Sequence, residues 1–96
     1  MNPAERSLAA SLDRALLEAR QLIAAGERNA AAIKRQAIVE DFPQIRVDYF
    51  ELVDPDTIRP VDIVDKAVRA AGAIWIGQTR LIDNIFCESL PRFARA

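Results

Sequence analysis

Apolar side chains recur at helical spacing over the first quarter of the chain. In NPAERSLAASLDRALLEARQLIAAG, residues 2–26, they fall every three or four positions, which is the spacing of one buried helical face. These positions are Leu8, Leu12, Ala15, Leu16, Ala19, Leu22 and Ile23. Asn2 is a suitable N-cap and Gly26 can end the helix with a left-handed cap. The pattern predicts an N-terminal helix with one apolar stripe.

A second helix is predicted in NAAAIKRQAIVEDF, residues 29–42, with Asn29 as its N-cap. Its apolar stripe consists of Ala30, Ile33, Ala37 and Ile38. Pro43 should end this helix, because the residue before a proline is pushed out of the helical region. About three residues connect the two helices, so we expect the helices to lie antiparallel.

The pattern then changes to that of a strand. RVDYFELVD, residues 46–54, is rich in β-branched and aromatic side chains that alternate with a period of two. Val47, Tyr49 and Val53 fall on one side, and Phe50 and Leu52 on the other. Asp54-Pro55 predicts a turn after this strand. The next segment, residues 62–72, is ambiguous: Ile63, Val64, Ala67 and Val68 fit a short helix, and their β-branched content leaves a connecting loop open.

A β-hairpin is predicted in AIWIGQTRLI, residues 73–82. Glycine in the first position of the two-residue loop Gly77-Gln78 is typical of a type II′ turn. This register places Trp75 opposite Arg80, where we expect the guanidinium to stack on the indole for about 0.5 to 1 kcal/mol. Together the elements predict an α+β fold, with two antiparallel N-terminal helices packed on a small three-stranded antiparallel sheet.

Composition narrows the class of protein. The 96 residues predict a single domain, and 51% hydrophobic with 28% charged residues is a globular balance. A net charge of −1 gives no basic surface for nucleic acid. The sequence has no run of about 18 apolar residues and no secretory signal. We therefore expect a cytoplasmic protein that binds neither nucleic acid nor membrane.

Few side chains are suited to catalysis. The sequence has no histidine, which removes the commonest general base and metal ligand. Cys87 is the only cysteine, and we expect it to be a small buried hydrophobe. No two carboxylates are marked as an acid/base pair. The residues thus predict no catalytic group and no metal site.

GQTRLIDN, residues 77–84, carries the strongest motif, and we interpret it as structural. Gly77 is the turn residue and Thr79 an ordinary strand residue. Asp83 and Asn84 are expected to end the strand by hydrogen bonding to local backbone. A metal role for Asp83 is disfavoured because a single carboxylate is a poor site for Mg²⁺.

Two motifs resemble a known family. VDYFELVDPDTIRPV at 47–61, followed by GQTRLIDN at 77–84, is similar to the C-terminal domain of pantothenate synthetase, the ATP-dependent pantoate–β-alanine ligase. NPAERSLAASLDRAL resembles the helix with which that domain begins. The resemblance covers nearly the whole chain and is loosest between residues 62 and 72.

The resemblance implies part of a two-domain enzyme. In that family an N-terminal nucleotide-binding α/β domain with an HxGH-type motif holds ATP, pantoate and β-alanine. Mg-ATP activates the pantoate carboxylate as an acyl adenylate, and the β-alanine amine then displaces AMP. The smaller C-terminal domain, helices against a three-stranded sheet, covers the active site like a lid.

This sequence departs from the family in what it lacks. It has no histidine, no HxGH-like segment and no Ser-Ser-Arg-Asn phosphate loop before the first helix. No catalytic residue of the family can therefore be transferred to it. We expect residues 1–96 to form one lid-like domain without the catalytic domain and to bind no cofactor alone, ATP and Mg²⁺ being bound by the resembled full-length enzyme.

Arg80 has two interpretations. It can be structural, stacked on Trp75 or paired with a carboxylate such as Asp83 or Glu51. Alternatively, it faces the nucleotide phosphates when the lid closes. It is the one residue of the motif with a candidate role towards substrate.

Three functions remain open. The chain can be a lid domain, inactive alone, whose partner is the N-terminal ligase domain in cis or in trans. It can be a free-standing interaction module of the same fold, for example a homodimer. It can also be an enzyme with a new site. Co-purification with a ligase domain favours the first function, and a stable symmetric dimer favours the second.

Overall fold

Two helices and three strands follow one another in the part of the chain that the structure describes. The structure is a computed structural model that describes residues 3–37 and 43–88. The elements are α1 (Pro3–Ala24), α2 (Ala30–Gln36), β1 (Ile45–Val53), β2 (Val68–Ile76) and β3 (Thr79–Cys87). The strands form one antiparallel sheet in the order β1-β2-β3. The predicted α+β fold is confirmed. Neither described helix is long and apolar enough to cross a membrane.

Helix α1 has the predicted buried stripe and the predicted end. Its buried residues are Ser11, Leu12, Ala15, Leu16, Ala19 and Ile23. At its end Gly26 has φ 106. The Gly26 N–H donates to the Ile23 carbonyl and the Glu27 N–H to the Leu22 carbonyl, each at 3.0 Å. This pair of hydrogen bonds is a Schellman cap, which favours glycine at the left-handed position. The predicted cap Asn2 lies outside the described residues.

Helix α2 begins as predicted and is shorter than predicted. The side chain of Asn29 accepts a hydrogen bond from the Ala32 N–H at 3.0 Å, so the N-cap is confirmed. The helix ends at Gln36, and the N–H of the C-cap Ala37 donates to the Ile33 carbonyl. The remainder of the predicted helix, including Ile38, lies outside the described residues.

The short helix considered for residues 62–72 is wrong. The segment is a connection up to residue 67, and β2 begins at Val68. Backbone hydrogen bonds attach the connection to the start of α2 and to the chain before it: Ala30 N–H donates to the Asp62 carbonyl at 2.9 Å and Val64 N–H to the Arg28 carbonyl at 2.7 Å. These bonds and the pairing of β2 with both of its neighbours outweigh the local helical pattern.

One hydrophobic core lies between the helices and one face of the sheet, which we call the inner face. It includes Leu16, Ile23, Ile33, Leu52, Ile74 and Ile76. Cys87 is fully buried within it, and burial raises the pKa of its thiol. The prediction that Cys87 is a small buried hydrophobe is therefore confirmed. At Gly72, an added Cβ would lie 2.8 Å from Leu12 Cδ1 and 3.1 Å from Phe50 Cδ2. The absence of a side chain at Gly72 therefore lets α1 approach β2 closely.

A β-bulge interrupts β1 at Asp48. Val47 pairs with Ile74 whereas Tyr49 pairs with the next residue, Ala73, so Asp48 is the extra residue. Directly paired residues share a face of the sheet. Val47 therefore belongs to the face of buried Ile74, and Tyr49 belongs to the opposite face. The predicted alternation is confirmed after the bulge, where Tyr49 and Val53 lie opposite Phe50 and Leu52. It is wrong for Val47, because the bulge inverts the alternation between Val47 and Tyr49.

The turn after β1 is held by Asp54. Its Oδ1 accepts hydrogen bonds from the N–H groups of Asp56 at 2.8 Å and Thr57 at 3.1 Å, and Lys66 Nζ lies 2.6 Å from its Oδ2. The Lys66 ammonium, followed by the two N–H donors, lowers the pKa of Asp54 to about 2. Ile58 in this turn has φ 60, an unusual conformation for a β-branched residue.

Candidate functional site

Three residues of the predicted motif, Arg80, Ile82 and Asn84, lie on the outer face of the sheet, the face turned away from the core. Directly paired residues form rows across this face. The rows are Arg46, Trp75 and Arg80; Tyr49, Ala73 and Ile82; Glu51, Ala71 and Asn84; and Val53, Arg69 and Phe86. Tyr49, Ile82 and Phe86 are 37%, 58% and 42% exposed. The outer face is therefore a surface of arginines interleaved with partly exposed aromatic and aliphatic side chains.

The β2–β3 turn is the type II′ turn that the sequence predicts. Gly77 has φ 60, whereas Gln78 is not among the described residues with positive φ. This combination fits type II′ and excludes type I′, which requires positive φ at both positions. Trp75 pairs directly with Arg80, so the predicted register is confirmed. Thr79 is an exposed residue at the start of β3.

Arg80 has a different partner from those predicted. Its Nε and Nη2 atoms donate to Asp48 Oδ2 at 2.9 and 2.7 Å, so this ion pair spans the central strand. Both side chains are more than a third exposed, and exposed pairs of this kind contribute little stability. The expected carboxylates are engaged elsewhere, Glu51 with Lys34 at 3.0 Å and Asp83 as described below.

The guanidinium of a different arginine stacks on the Trp75 indole, on which Arg80 was expected to stack. The guanidinium carbon of Arg46 lies 5.4 Å from the ring centre of Trp75. At the other end of the same face, Arg69 lies 5.6 Å from the ring of Phe86 and donates to Asn84 Oδ1 at 2.9 Å. Sequence patterns did not predict the contacts of Arg46, Asp48 and Arg69, because these contacts depend on strand pairing and on the bulge.

Asp83 and Asn84 do not end the strand, since β3 continues to Cys87. The expected bond to local backbone is present: Asp83 Oδ1 accepts from the Asn84 N–H at 2.8 Å. Within the two described ranges no group of three or more carboxylate, thiol or imidazole side chains is placed to hold a metal ion.

An open groove of about 560 Å³ lies where the hairpin turn meets the start of α1. Among its lining residues are Glu5 and Leu8 of α1, Arg46 of β1, and Trp75, Ile76 and Gly77 at the end of β2 and in the turn. We call this the hairpin-end groove. It combines apolar walls with the stacked Arg46–Trp75 pair, which is chemistry suited to binding another surface or an anionic group.

Comparisons with known proteins agree on one family. Pantothenate synthetase from Moorella thermoacetica is 41% identical over 90 residues, covering 92% of this chain and 32% of that protein. The Thermotoga petrophila pantothenate synthetase is 42% identical over 86 residues, covering 88% of this chain and 31% of that protein. The crystal structure of the Thermus thermophilus pantothenate synthetase superimposes with a TM-score of 0.78 at 32% identity, over 88% of this chain and 31% of that chain.

This chain spans about a third of the length of these relatives, and the matched region is their C-terminal part. Of the two motifs from which the resemblance was inferred, residues 47–61 form most of β1 and the turn after it, and residues 77–84 form the β2–β3 turn and most of β3. The sequence model of the pantoate–β-alanine ligase family matches residues 1–86. The chain therefore belongs to the pantoate–β-alanine ligase family.

Proposed function

We propose that this chain serves as the C-terminal lid domain of a cytoplasmic, ATP-dependent pantoate–β-alanine ligase. In this role it closes over the active site of a nucleotide-binding catalytic domain and is not catalytic alone. The observation that carries the proposal is the match of nearly the whole chain to the C-terminal third of pantothenate synthetases.

The chemistry of the described residues supports a covering role. Acyl adenylate formation needs an enclosed site with donors aimed at the phosphates, because the developing charge must be stabilised where it appears. A lid contributes by excluding water and by completing that enclosure. The outer face and the hairpin-end groove supply guanidinium groups and apolar side chains for such contacts. Arg80 donates to Asp48 through Nε and Nη2, so the N–H donors on its Nη1 atom remain for a phosphate.

A chimera tests the proposal. Residues of this chain replace the matched region of the Moorella thermoacetica enzyme, and AMP release is measured with ATP, Mg²⁺, pantoate and β-alanine. We expect the chimera to turn over within about tenfold of the parent. The parent without its matched region should lose about 100-fold or more, the scale of a misassembled site. The isolated chain should release no AMP above background.

Two results would refute the lid role. One is AMP release that follows the isolated chain through purification. The other is a folded chimera no more active than the truncated parent, with folding verified by its melting curve.

The second candidate is a free-standing homodimeric module. It is favoured by the exposed Tyr49, Ile82 and Phe86 on the outer face, since partly apolar sheet faces are common interface surfaces. A specific dimer would bury about 800 Å² on each partner. Sedimentation of the isolated chain at micromolar concentration distinguishes the two: a stable dimer supports this module, and a monomer supports the lid.

A further inference from the structure

We propose that the hairpin-end groove, with the Arg46–Trp75 pair at its rim, is the surface by which this chain docks onto the catalytic domain of the ligase. The inference rests on the proposed function and adds to it which of the available surfaces makes the contact. The partner that occupies the groove is the part of the ligase that precedes the matched region. We expect its contact surface to offer an apolar group and a carboxylate.

Chain continuity favours this end of the molecule. In the relatives, the matched region is the C-terminal part, and about two thirds of each protein precedes it. That larger part is joined to the N-terminal side of the helix that corresponds to α1. Here α1 begins at Pro3, and its first turns contribute Glu5 and Leu8 to the groove. The tether therefore delivers the catalytic domain to the end of the molecule where the groove lies.

The groove also has the composition of a binding hot spot. Tryptophan and arginine dominate such spots when they lie beside apolar walls, and Trp75 and Arg46 lie here beside Leu8 and Ile76. Trp75 is half-buried on the outer face, and the next residue, Ile76, is buried on the inner face. A partner side chain entering the groove would complete the burial of the indole.

Arg46 differs from the other two arginines of the outer face. Arg80 is held by Asp48 and Arg69 by Asn84. Within residues 3–37 and 43–88, Arg46 makes its contact with the Trp75 ring and no hydrogen bond or ion pair. Its guanidinium N–H donors can therefore bind a carboxylate of the partner in a bidentate manner without breaking an existing bond.

The structure provides a matched pair of variants. Arg46→Glu and Arg69→Glu each reverse one charge on the outer face, and each removes one cation–π contact of nearly equal length, 5.4 and 5.6 Å. The two arginines lie at opposite ends of the sheet, Arg46 in the groove and Arg69 beside Phe86. A general effect of charge or of lost stacking would appear in both variants, whereas docking through the groove would appear only in Arg46→Glu.

Amide hydrogen exchange, followed by mass spectrometry, gives the readout. We expect the backbone amides of residues 44–46 and 75–79 to exchange at least tenfold more slowly in the chimera with the Moorella thermoacetica catalytic part than in the isolated chain. Arg46→Glu in the chimera should abolish this protection, and Arg69→Glu should preserve it. Melting curves of both variants of the isolated chain establish that the domain itself stays folded.

The outcomes separate this inference from the proposed function. The proposed docking surface is wrong, and the lid role is retained, if the chimera is active but its protected amides lie around Phe86. The same conclusion follows if the chimera is active and Arg46→Glu leaves the protection unchanged. An inactive chimera with protected groove amides overturns the lid role and supports the docking surface. An inactive chimera without such protection overturns both.

Discussion

Gly77 shows how a single backbone angle fixes the hairpin. Its φ is 60 and no atom lies within 4 Å of the position of an added Cβ, so a substitution there meets backbone strain and no steric clash. We predict that Gly77→Val destabilises the domain by about 1 to 3 kcal/mol, the usual cost of a disfavoured backbone region. Urea unfolding measures the change.

Gln78→Val is the matched control, because Gln78 lacks the positive φ and should tolerate the change. If Gly77→Val unfolds at the wild-type urea concentration, the turn assignment is wrong.

Asp54 makes part of the stability of the domain depend on pH. Its pKa in the folded protein is about 2, below the ordinary value of 3.8, so the ionised form is favoured by folding. The associated stability is fully present above about pH 4 and is lost as the pH falls through about 2. We predict that Lys66→Met raises the pKa of Asp54 part of the way to its ordinary value, because the two N–H donors remain.

Titration of the Asp54 carboxyl carbon by NMR tests this pKa prediction. Lys34→Met provides the control, since Lys34 pairs with Glu51 and its loss should leave the titration of Asp54 unchanged. Equal titration curves for the wild type and Lys66→Met would rule out Lys66 as the main cause.

Local rules predict a residue of the candidate site only when its partner is local. Gly77 and the Trp75–Arg80 register follow from a two-residue turn, and both are confirmed. The partner of Arg80 does not follow, because Asp48 reaches it only through a bulge on a distant strand. Pairing geometry across three strands is a tertiary property, and side-chain spacing along one strand does not contain it.

At the scale of elements, Gly72 fixes the spacing between α1 and β2. We predict that Gly72→Ala costs about 1 to 3 kcal/mol, because the new methyl group would overpack against Leu12 and Phe50. In a Leu12→Ala background, the methyl group would enter the space that Leu12 vacates. The cost of Gly72→Ala should therefore fall markedly there, so the two substitutions are non-additive.

The measurement for this pair is a double-mutant cycle in urea. Strictly additive free energies of unfolding would show that Gly72 does not set the contact with α1.

The elements themselves were predictable to different degrees. The α1 stripe, the Asn29 cap and the β2–β3 turn depend on neighbouring residues, and all three are confirmed. The segment from residue 62 to 72 carries helical spacing, yet its second half is a central strand. Hydrogen bonding to strands on both sides stabilises the extended form there, and the sequence of the segment alone gives no sign of those partners.

At the scale of the whole molecule, one side of the sheet is used for folding and the other is left for contact. Both helices pack into the single core on the inner face, while aromatic and cationic side chains remain on the outer face. A domain of this kind that is tethered to its partner can function with weak contacts, because a short linker gives a millimolar effective concentration. The same contacts should bind poorly in trans.

The bulge at Asp48 has a further consequence for solubility. β1 lies at one edge of the sheet, and an exposed edge is a template onto which a second chain can add its own strand and begin to aggregate. The extra residue breaks the regular hydrogen-bond ladder in mid-strand and places a carboxylate there. A regular incoming strand would meet a kink and a charged group at this point. We therefore expect the same irregularity that gives Arg80 its partner to hinder strand addition and amyloid-like growth at this edge of the sheet.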